Sequence, residues 1–120
     1  MPTLEIIINV KEDGVVKPGF PRVRRISLDE IQTFRVESAT GGGFVTLPIT
    51  SIDEIQALIL QSDQQVTVRL DGQSDAGLVL NAGGLLIILD ADIDASAATN
   101  VLVSNASGAT ANLEGLGAGT

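Results

Sequence analysis

The sharpest group of chemistry-capable side chains in the sequence is a run of three aspartates, Asp90, Asp92 and Asp94. Carboxylates at i, i+2 and i+4 either project to one side of an extended segment or begin a calcium loop of the D-x-D-x-D type. A complete loop also needs Gly at its sixth position and Glu at its twelfth, where this chain has Ala95 and Val101. The pattern therefore favours a solvated acidic loop and leaves a cation site at the three aspartates as the alternative.

Other reactive chemistry has little support in the sequence. The chain contains neither Cys nor His, which removes disulfides, thiolate chemistry and the usual nucleophile–base pairs. Carboxylate pairs such as Asp71 with Asp75, or Asp29 with Glu30, occur in any acidic protein and do not by themselves indicate acid–base catalysis. The Gly-rich residues 41–43 lack the Lys and Ser/Thr of a phosphate-binding loop. We therefore expect no enzyme activity and no cofactor, and a structural or interaction role.

Composition favours one β-rich domain with an aliphatic core. The 120 residues are enough to bury a core without disulfides, and the aromatic residues are three Phe, with no Trp or Tyr. Val, Ile and Leu must then fill the interior, and β-branched residues favour strands. No apolar run is long enough to span a bilayer, and the sequence has no signal-peptide pattern. These observations predict synthesis in a cytoplasm and no membrane association.

Charge is unevenly distributed along the chain. The net charge is −8, but residues 1–35 carry +1 and residues 36–120 carry −9. An acidic body should repel nucleic acid and anionic lipid. A cluster of bases lies between residues 17 and 25, where the bases either dock on an acidic protein surface or keep an exposed edge strand soluble.

Alternating apolar residues predict a series of short strands. Val66, Val68 and Leu70 alternate with polar residues, and Asp-Gly at residues 71–72 supplies a turn. Residues 85–89 are apolar at every position, which predicts a strand covered on both faces, by a second sheet on one and by a loop or partner on the other. The domain core is the preferred interpretation, and a subunit interface is the alternative. Turn signals at spacings of about 8–12 residues predict an all-β fold, an antiparallel β-sandwich or jelly roll. We expect a strand and a basic, Pro-containing extended arm over residues 1–25, the sandwich over residues 26–116 and a Gly-rich tail over residues 117–120.

A six-residue motif occurs twice, as SLDEIQ at residues 27–32 and SIDEIQ at residues 51–56. Each copy precedes an apolar alternation, so we predict two similar turn-and-strand units, one in each sheet. Ser and the Glu three positions later also form a capping box, and residues 53–61 fit helical spacing, so a helix there remains an alternative. The strand is preferred because residues 62–65 then form a hairpin turn into Val66.

The order of hairpin signatures from residue 57 onward is distinctive. A strand (ALILQS) is followed by DQQ, by VTVRLDG and by LVLNAGGLL, and the chain closes with VLVSNASGATA. This part, residues 57–116, resembles small virion proteins of tailed phages. Such proteins are often capsid decoration (cement) proteins, or small components of tails and head fibres.

The resemblance implies a protein made in the host cytoplasm and incorporated into the virion, with the major capsid protein or further copies of itself as partners. A homo-oligomer that binds and stabilises the outer capsid surface is the expectation. Arg side chains would pair with carboxylates and Phe would act as an apolar anchor. The expected contact residues are Lys17, Phe20, Arg22, Arg24 and Arg25. The alternative is a tail or head-fibre module that binds a host surface or another virion protein through the loops at residues 41–43 and 72–77.

Overall fold

The computed structural model describes residues 2–41, 43–49, 52–70, 76–94 and 101–120, with residues 90–94 described as backbone. This part of the chain contains twelve β-strands and no helix, which confirms the predicted all-β fold. The strands are β1 (Thr3–Ile8), β2 (Lys11–Glu12), β3 (Val15–Val16), β4 (Arg22–Ser27), β5 (Glu30–Ser38), β6 (Phe44–Thr46), β7 (Glu54–Ser62), β8 (Val66–Arg69), β9 (Leu78–Leu80), β10 (Leu85–Asp94), β11 (Leu102–Ser104) and β12 (Ala111–Gly119).

Two four-stranded antiparallel sheets form a β-sandwich. The first sheet has the strand order β10-β7-β12-β5, and the second sheet has the order β6-β11-β8-β9. Side chains from the two inner faces meet in one aliphatic core, whose fully buried members include Leu58, Leu60, Val68, Val103 and Leu113. The predicted antiparallel sandwich with an aliphatic core is confirmed.

Strands β5 to β12 together form one long hairpin, whose strands are divided between the two sheets. The strand pairs are nested, because β8 pairs with β9, β7 with β10, β6 with β11 and β5 with β12, all antiparallel. Except for β8 and β9, consecutive strands of this hairpin lie in opposite sheets. The innermost pair places Val68 opposite Leu78, and the outermost pair places Glu30 opposite Gly119. The first and last strands of the sandwich, β5 and β12, are thus joined directly by backbone pairing.

The C-terminal strand β12 lies inside the first sheet, with β5 on one side and β7 on the other. Thr120 continues the pairing, since it exchanges backbone hydrogen bonds of 3.0 and 3.1 Å with Glu54. The prediction of a Gly-rich tail over residues 117–120 is therefore wrong. Glycine is needed in this strand because neighbouring backbone approaches too closely for a side chain: a Cβ on Gly115 would lie 1.9 Å from the carbonyl oxygen of Ile59.

The apolar run at residues 85–89 begins β10, which is an edge strand of the first sheet. Leu86 and Ile88 pack against the core, whereas Leu85 and Ile87 are exposed on the opposite face. The second sheet covers one face of this run, as predicted, but the preferred interpretation of the whole run as domain core is wrong, because Leu85 and Ile87 are left exposed. Cover of the other face by a partner stays a prediction. Side chains alternate in this strand as in any other, but an apolar residue at every position conceals the alternation.

Strand β10 continues through the acidic residues that follow the apolar run. After a register shift, its backbone pairing with β7 resumes at Ile93 and Asp94. The prediction of an acidic loop over Asp90, Asp92 and Asp94 is therefore wrong. The nine-residue strand β7 is long enough to offer this segment backbone partners, and pairing replaces the loop.

The two copies of the repeated motif lead into β5 and β7, which both pair with β12. They lie in the same sheet, so the prediction of one copy in each sheet is wrong. Leu28 and Ile52, at equivalent positions of the two copies, are both fully buried. The strand interpretation of residues 53–61 is confirmed. Residues 62–65 lead into the second sheet, because β10 and β12 already flank β7, so the predicted hairpin at this point is wrong.

Residues 2–27 form a separate hairpin, which we call the N-terminal ribbon. Strand β1 pairs with β4 and β2 with β3, around a turn at Asp13 and Gly14 with φ values of 49° and 81°. Positive φ at both positions is the geometry of a type I′ turn, which Asp-Gly favours. The arm itself is a paired ribbon and not a lone extended segment, because its two halves bond to each other.

The substitution Gly115→Ala should destabilise the sandwich strongly. Its Cβ would lie 1.9 Å from the carbonyl oxygen of Ile59, so β12 and β7 would have to separate. We expect the free energy of unfolding, measured by urea denaturation, to fall by about 3 kcal/mol or more. Gly43→Ala is the matched control, because nothing lies within 4 Å of a Cβ at that position. A loss below about 1 kcal/mol for Gly115→Ala would contradict the close approach of the two strands.

Candidate partner-binding surface

The base of the N-terminal ribbon packs on the outer face of the first sheet. Leu4 and Ile26, which pair directly between β1 and β4, contact a second buried cluster made of Leu28, Ala57 and Ala118. The small side chains of the two alanines, on β7 and β12, leave room for the ribbon. This contact fixes one end of the ribbon to the sandwich.

The other end of the ribbon stands clear of the sandwich. Residues 9–19 are all exposed, including the apolar Val15 and Val16 near the turn. Within this end, Lys17 and Glu12 form an ion pair across the two strands. The tip is therefore held by its own pairing and presented to solvent.

The structure places all five predicted contact residues on the ribbon, but not on one face of it. Arg22 and Arg24 alternate with Arg25 along β4, so the side chains project from opposite faces. Arg25 Nε lies 2.7 Å from Glu5 Oε2, and Arg22 Nε donates to the carbonyl oxygen of Gly19 at 3.3 Å. A flat partner on either side of β4 therefore meets only part of the predicted set.

The other two predicted residues, Lys17 and Phe20, lie in the irregular return between β3 and β4. The amide of Phe20 donates to the carbonyl oxygen of Lys17 at 3.1 Å, which closes a turn. The Phe20 side chain is half-buried. Part of its apolar surface is therefore inaccessible to a partner, so Phe20 is a smaller apolar anchor than a fully exposed Phe.

An apolar row lies on the outer face of the first sheet, and its signal in the sequence is the all-apolar run at residues 85–89. Ile87 on β10 pairs with Ile59 on β7, and Ile59 pairs with Leu116 on β12. Leu85 lies on the same face of β10, two residues away. Leu85 and Ile87 are exposed, and Ile59 and Leu116 are half-buried. We call these four residues the outer apolar row.

A polar groove of about 490 Å³ lies beside the outer apolar row, on the same sheet. Within it, Arg35 Nη2 lies 3.0 Å from Glu114 Oε2. At one end, Asp63 accepts hydrogen bonds from the backbone amide of Asn112 at 2.7 Å and from its Nδ2 at 2.8 Å. Glu37 adds a further carboxylate to the lining. Carboxylates outnumber bases here, so the groove suits cationic or hydrogen-bond-donating groups of a partner.

The hydrogen bonds from Asn112 lower the pKa of Asp63 below its ordinary value of 3.8. The side-chain amide of Asn112 is the larger cause and its backbone amide the second, because both stabilise the ionised carboxylate. Since the pKa is lower in the folded state, this interaction stabilises the fold above pH 3.8, and the contribution is lost as pH falls through the folded-state pKa.

The outer face of the second sheet carries an aromatic–cation pair. The guanidinium carbon of Arg69 lies 4.9 Å from the ring centroid of Phe44, and Arg69 Nη1 donates to Ser104 Oγ at 3.0 Å. Phe44 is exposed. Of the loops predicted to bind a host surface, residue 42 and residues 72–75 lie outside the described part of the chain.

Within the described residues, no group of three His, Cys, Asp or Glu side chains is placed to hold a metal ion. The candidate ligands Asp90, Asp92 and Asp94 are described as backbone, so the predicted cation site lies outside the described side chains. Asp71 and Asp75 also lie outside the described residues.

Comparison with known proteins gives no match. No protein-family model matches the chain, and no curated protein or solved structure is significantly similar to it. In the described ranges, no helix is long and apolar enough to cross a membrane. Function must therefore be argued from the surfaces themselves.

An NMR titration should give Asp63 a pKa below 3.8. Asn112→Ala removes the larger stabilising donor and should raise that pKa towards 3.8, while the backbone amide of residue 112 retains part of the effect. Gln65→Ala is the control, because Gln65 bonds to Asn81 and not to Asp63. A pKa of Asp63 that does not respond to Asn112→Ala would contradict this assignment.

Proposed function

We propose that this protein is a structural component of a tailed-phage virion that binds the outer surface of the capsid and stabilises it, as decoration proteins do. The observation that carries the proposal is the N-terminal ribbon. Leu4 and Ile26 pack one end of it on the sandwich, and the other end presents residues 9–19 to solvent. A projection of this kind can reach a neighbouring surface while the domain stays folded. The resemblance of residues 57–116 to small virion proteins supports the same class.

The strand order is compatible with this proposal. We infer a jelly roll from the eight strands in nested pairs, which are divided between two four-stranded antiparallel sheets. Jelly rolls occur in viral capsid domains, and also in lectins and cupins. The inferred fold therefore supports a virion protein without selecting its partner.

The charge distribution favours contact through the ribbon. Residues 2–27 carry five bases and three acids, a net charge of +2, whereas residues 28–120 carry two bases and twelve acids, a net charge of −10. An acidic capsid surface would attract the ribbon and repel the sandwich. Arg22 and Arg24 would pair with carboxylates of the capsid protein. Many copies on one lattice would gain avidity although each contact is small.

A tail or head-fibre module is the second candidate function. It is favoured by the exposed ring of Phe44 with Arg69 beside it, on the outer face of the second sheet. Aromatic and Arg side chains are enriched among residues that dominate binding energy. Such a module would bind a host surface or another virion protein through this face.

Co-sedimentation with empty capsids of the phage that encodes the chain tests the first function. Wild-type protein should pellet with the capsids, and Arg22→Glu should bind about tenfold more weakly because it reverses a charge on the ribbon. Arg35→Glu is the matched control, since it makes the same charge change on the sandwich, where Arg35 pairs with Glu114. Thermal unfolding verifies that each variant keeps its fold.

Two outcomes would contradict the proposal. Equal weakening by Arg22→Glu and Arg35→Glu would mean that net charge alone governs binding, which would overturn the role of the ribbon. Protein that ignores capsids but pellets with purified tails would favour the tail module. Phe44→Ala should then abolish that binding.

A further inference from the structure

We propose that copies of this chain associate head to tail, with the N-terminal ribbon of one copy on the first sheet of the next. The contact joins Ile7 and Val23 of the ribbon to the outer apolar row of the neighbouring copy. This proposal goes beyond capsid binding and requires no other virion protein.

The outer apolar row is a surface that a lone copy leaves uncovered. Leu85 is 57% exposed and Ile87 is 41% exposed, both on the edge strand β10. Ile87 is in register with Ile59 and Leu116, so the apolar side chains are contiguous across three strands. Contiguous exposed apolar areas on small domains mark interaction sites.

The ribbon carries a matching apolar pair that faces away from its own sandwich. Ile7 is 63% exposed and Val23 is 46% exposed, and the two are directly opposite each other on β1 and β4. Because side chains alternate along a strand, this pair lies on the ribbon face opposite to Leu4 and Ile26. Leu4 and Ile26 pack on the chain's own first sheet. Ile7 and Val23 are therefore available to another molecule.

Charge argues for a second copy as that molecule. The ribbon carries +2 and the remainder of the chain −10. Carboxylates of Glu37, Asp63 and Glu114 line the groove beside the outer apolar row. On the ribbon face of Ile7 and Val23 the one base, Arg25, is paired with Glu5, so the attraction comes from the net charge of the ribbon as a whole. Opposite net charges favour an approach of the ribbon to this sheet. A symmetric contact between two first sheets would instead bring acidic surfaces together and be repelled.

The chain already makes one contact of this kind within itself. Leu4 and Ile26 pack against Ala57 and Ala118, which lie two residues along β7 and β12 from the outer apolar row. The proposed contact extends the same apolar surface by one row, with a ribbon supplied by the neighbouring copy. Because the two contacting areas differ, the association is heterologous and gives either a closed ring or an open chain.

Sedimentation equilibrium of the purified protein tests the proposal. Wild-type protein should form oligomers that dissociate as salt concentration rises, because opposite charges contribute to the contact. Ile7→Thr and Ile87→Thr should each weaken association by about tenfold, since each removes buried apolar groups. Val15→Thr and Val79→Thr are the matched controls and should leave the mass unchanged. Val15 is 68% exposed on the ribbon, and Val79 is 60% exposed on the edge strand of the second sheet.

An equimolar mixture of Ile7→Thr and Ile87→Thr distinguishes the geometry of the contact. The mixture contains one intact ribbon and one intact sheet face, so head-to-tail association predicts mixed pairs and nothing larger. Wild-type protein that stays monomeric at its highest soluble concentration would overturn the proposal. Association abolished by only one of the two variants would also overturn it, in favour of a symmetric contact. Capsids take no part in these measurements, so their outcome is independent of the proposed capsid binding.

Discussion

The sandwich depends on the backbone pairing of β12 with both β5 and β7. This last strand pairs with β5, the first strand of the sandwich, and with β7. It lies so close to β7 that Gly115 and Gly119 have no room for a Cβ. The corner that leads into β12 is fixed by the buried Asn105, whose Nδ2 donates to the carbonyl oxygens of Ser38 at 2.8 Å and Ala109 at 2.7 Å. The pairing that closes the sandwich therefore depends on glycines and on Asn105, which bury little apolar surface, and the aliphatic core stabilises it further.

The same pairing arranges the outer face of the first sheet. Because β7 and β12 are held in one register, Ala57 lies beside Ala118, and Ile59 lies beside Leu116. Ala57 and Ala118 have small side chains, so the ribbon packs closely on them. The next row, Ile59 and Leu116, has larger apolar side chains. The polar groove with Glu114 lies beyond that row. A slip of one residue would turn these side chains into the core, so the glycines that fix the register also fix this surface.

Local patterns predicted most strands but not their partners. Alternation of Val66 and Val68 with polar residues was sufficient for β8. The run at residues 85–89 has apolar residues at every position, so alternation could not reveal that Leu85 and Ile87 are exposed. Residues 117–120 were predicted to be a tail because Gly occurs both at free chain ends and where two backbones approach closely, and only the neighbouring strands distinguish the two. The basic residues were predicted as a contact site from their charge, but only the strand geometry of β4 shows that their side chains project from two opposite faces.

The charge of the sandwich limits how this protein can associate. With −10 outside the ribbon, direct contact between two sandwiches is opposed by repulsion, and the ribbon is the element that can lie between acidic surfaces. Strand alternation gives the ribbon two different faces. Arg22 and Arg24 project from the face whose Leu4 and Ile26 pack on the chain's own first sheet, but nearer the free end of the ribbon, and Ile7 and Val23 project from the other face. A capsid contact through the first face would leave the second face available to a neighbouring copy. The two proposed contacts are therefore compatible on one molecule. Each copy bound to a capsid lattice would still present Ile7 and Val23 to the outer apolar row of the next copy.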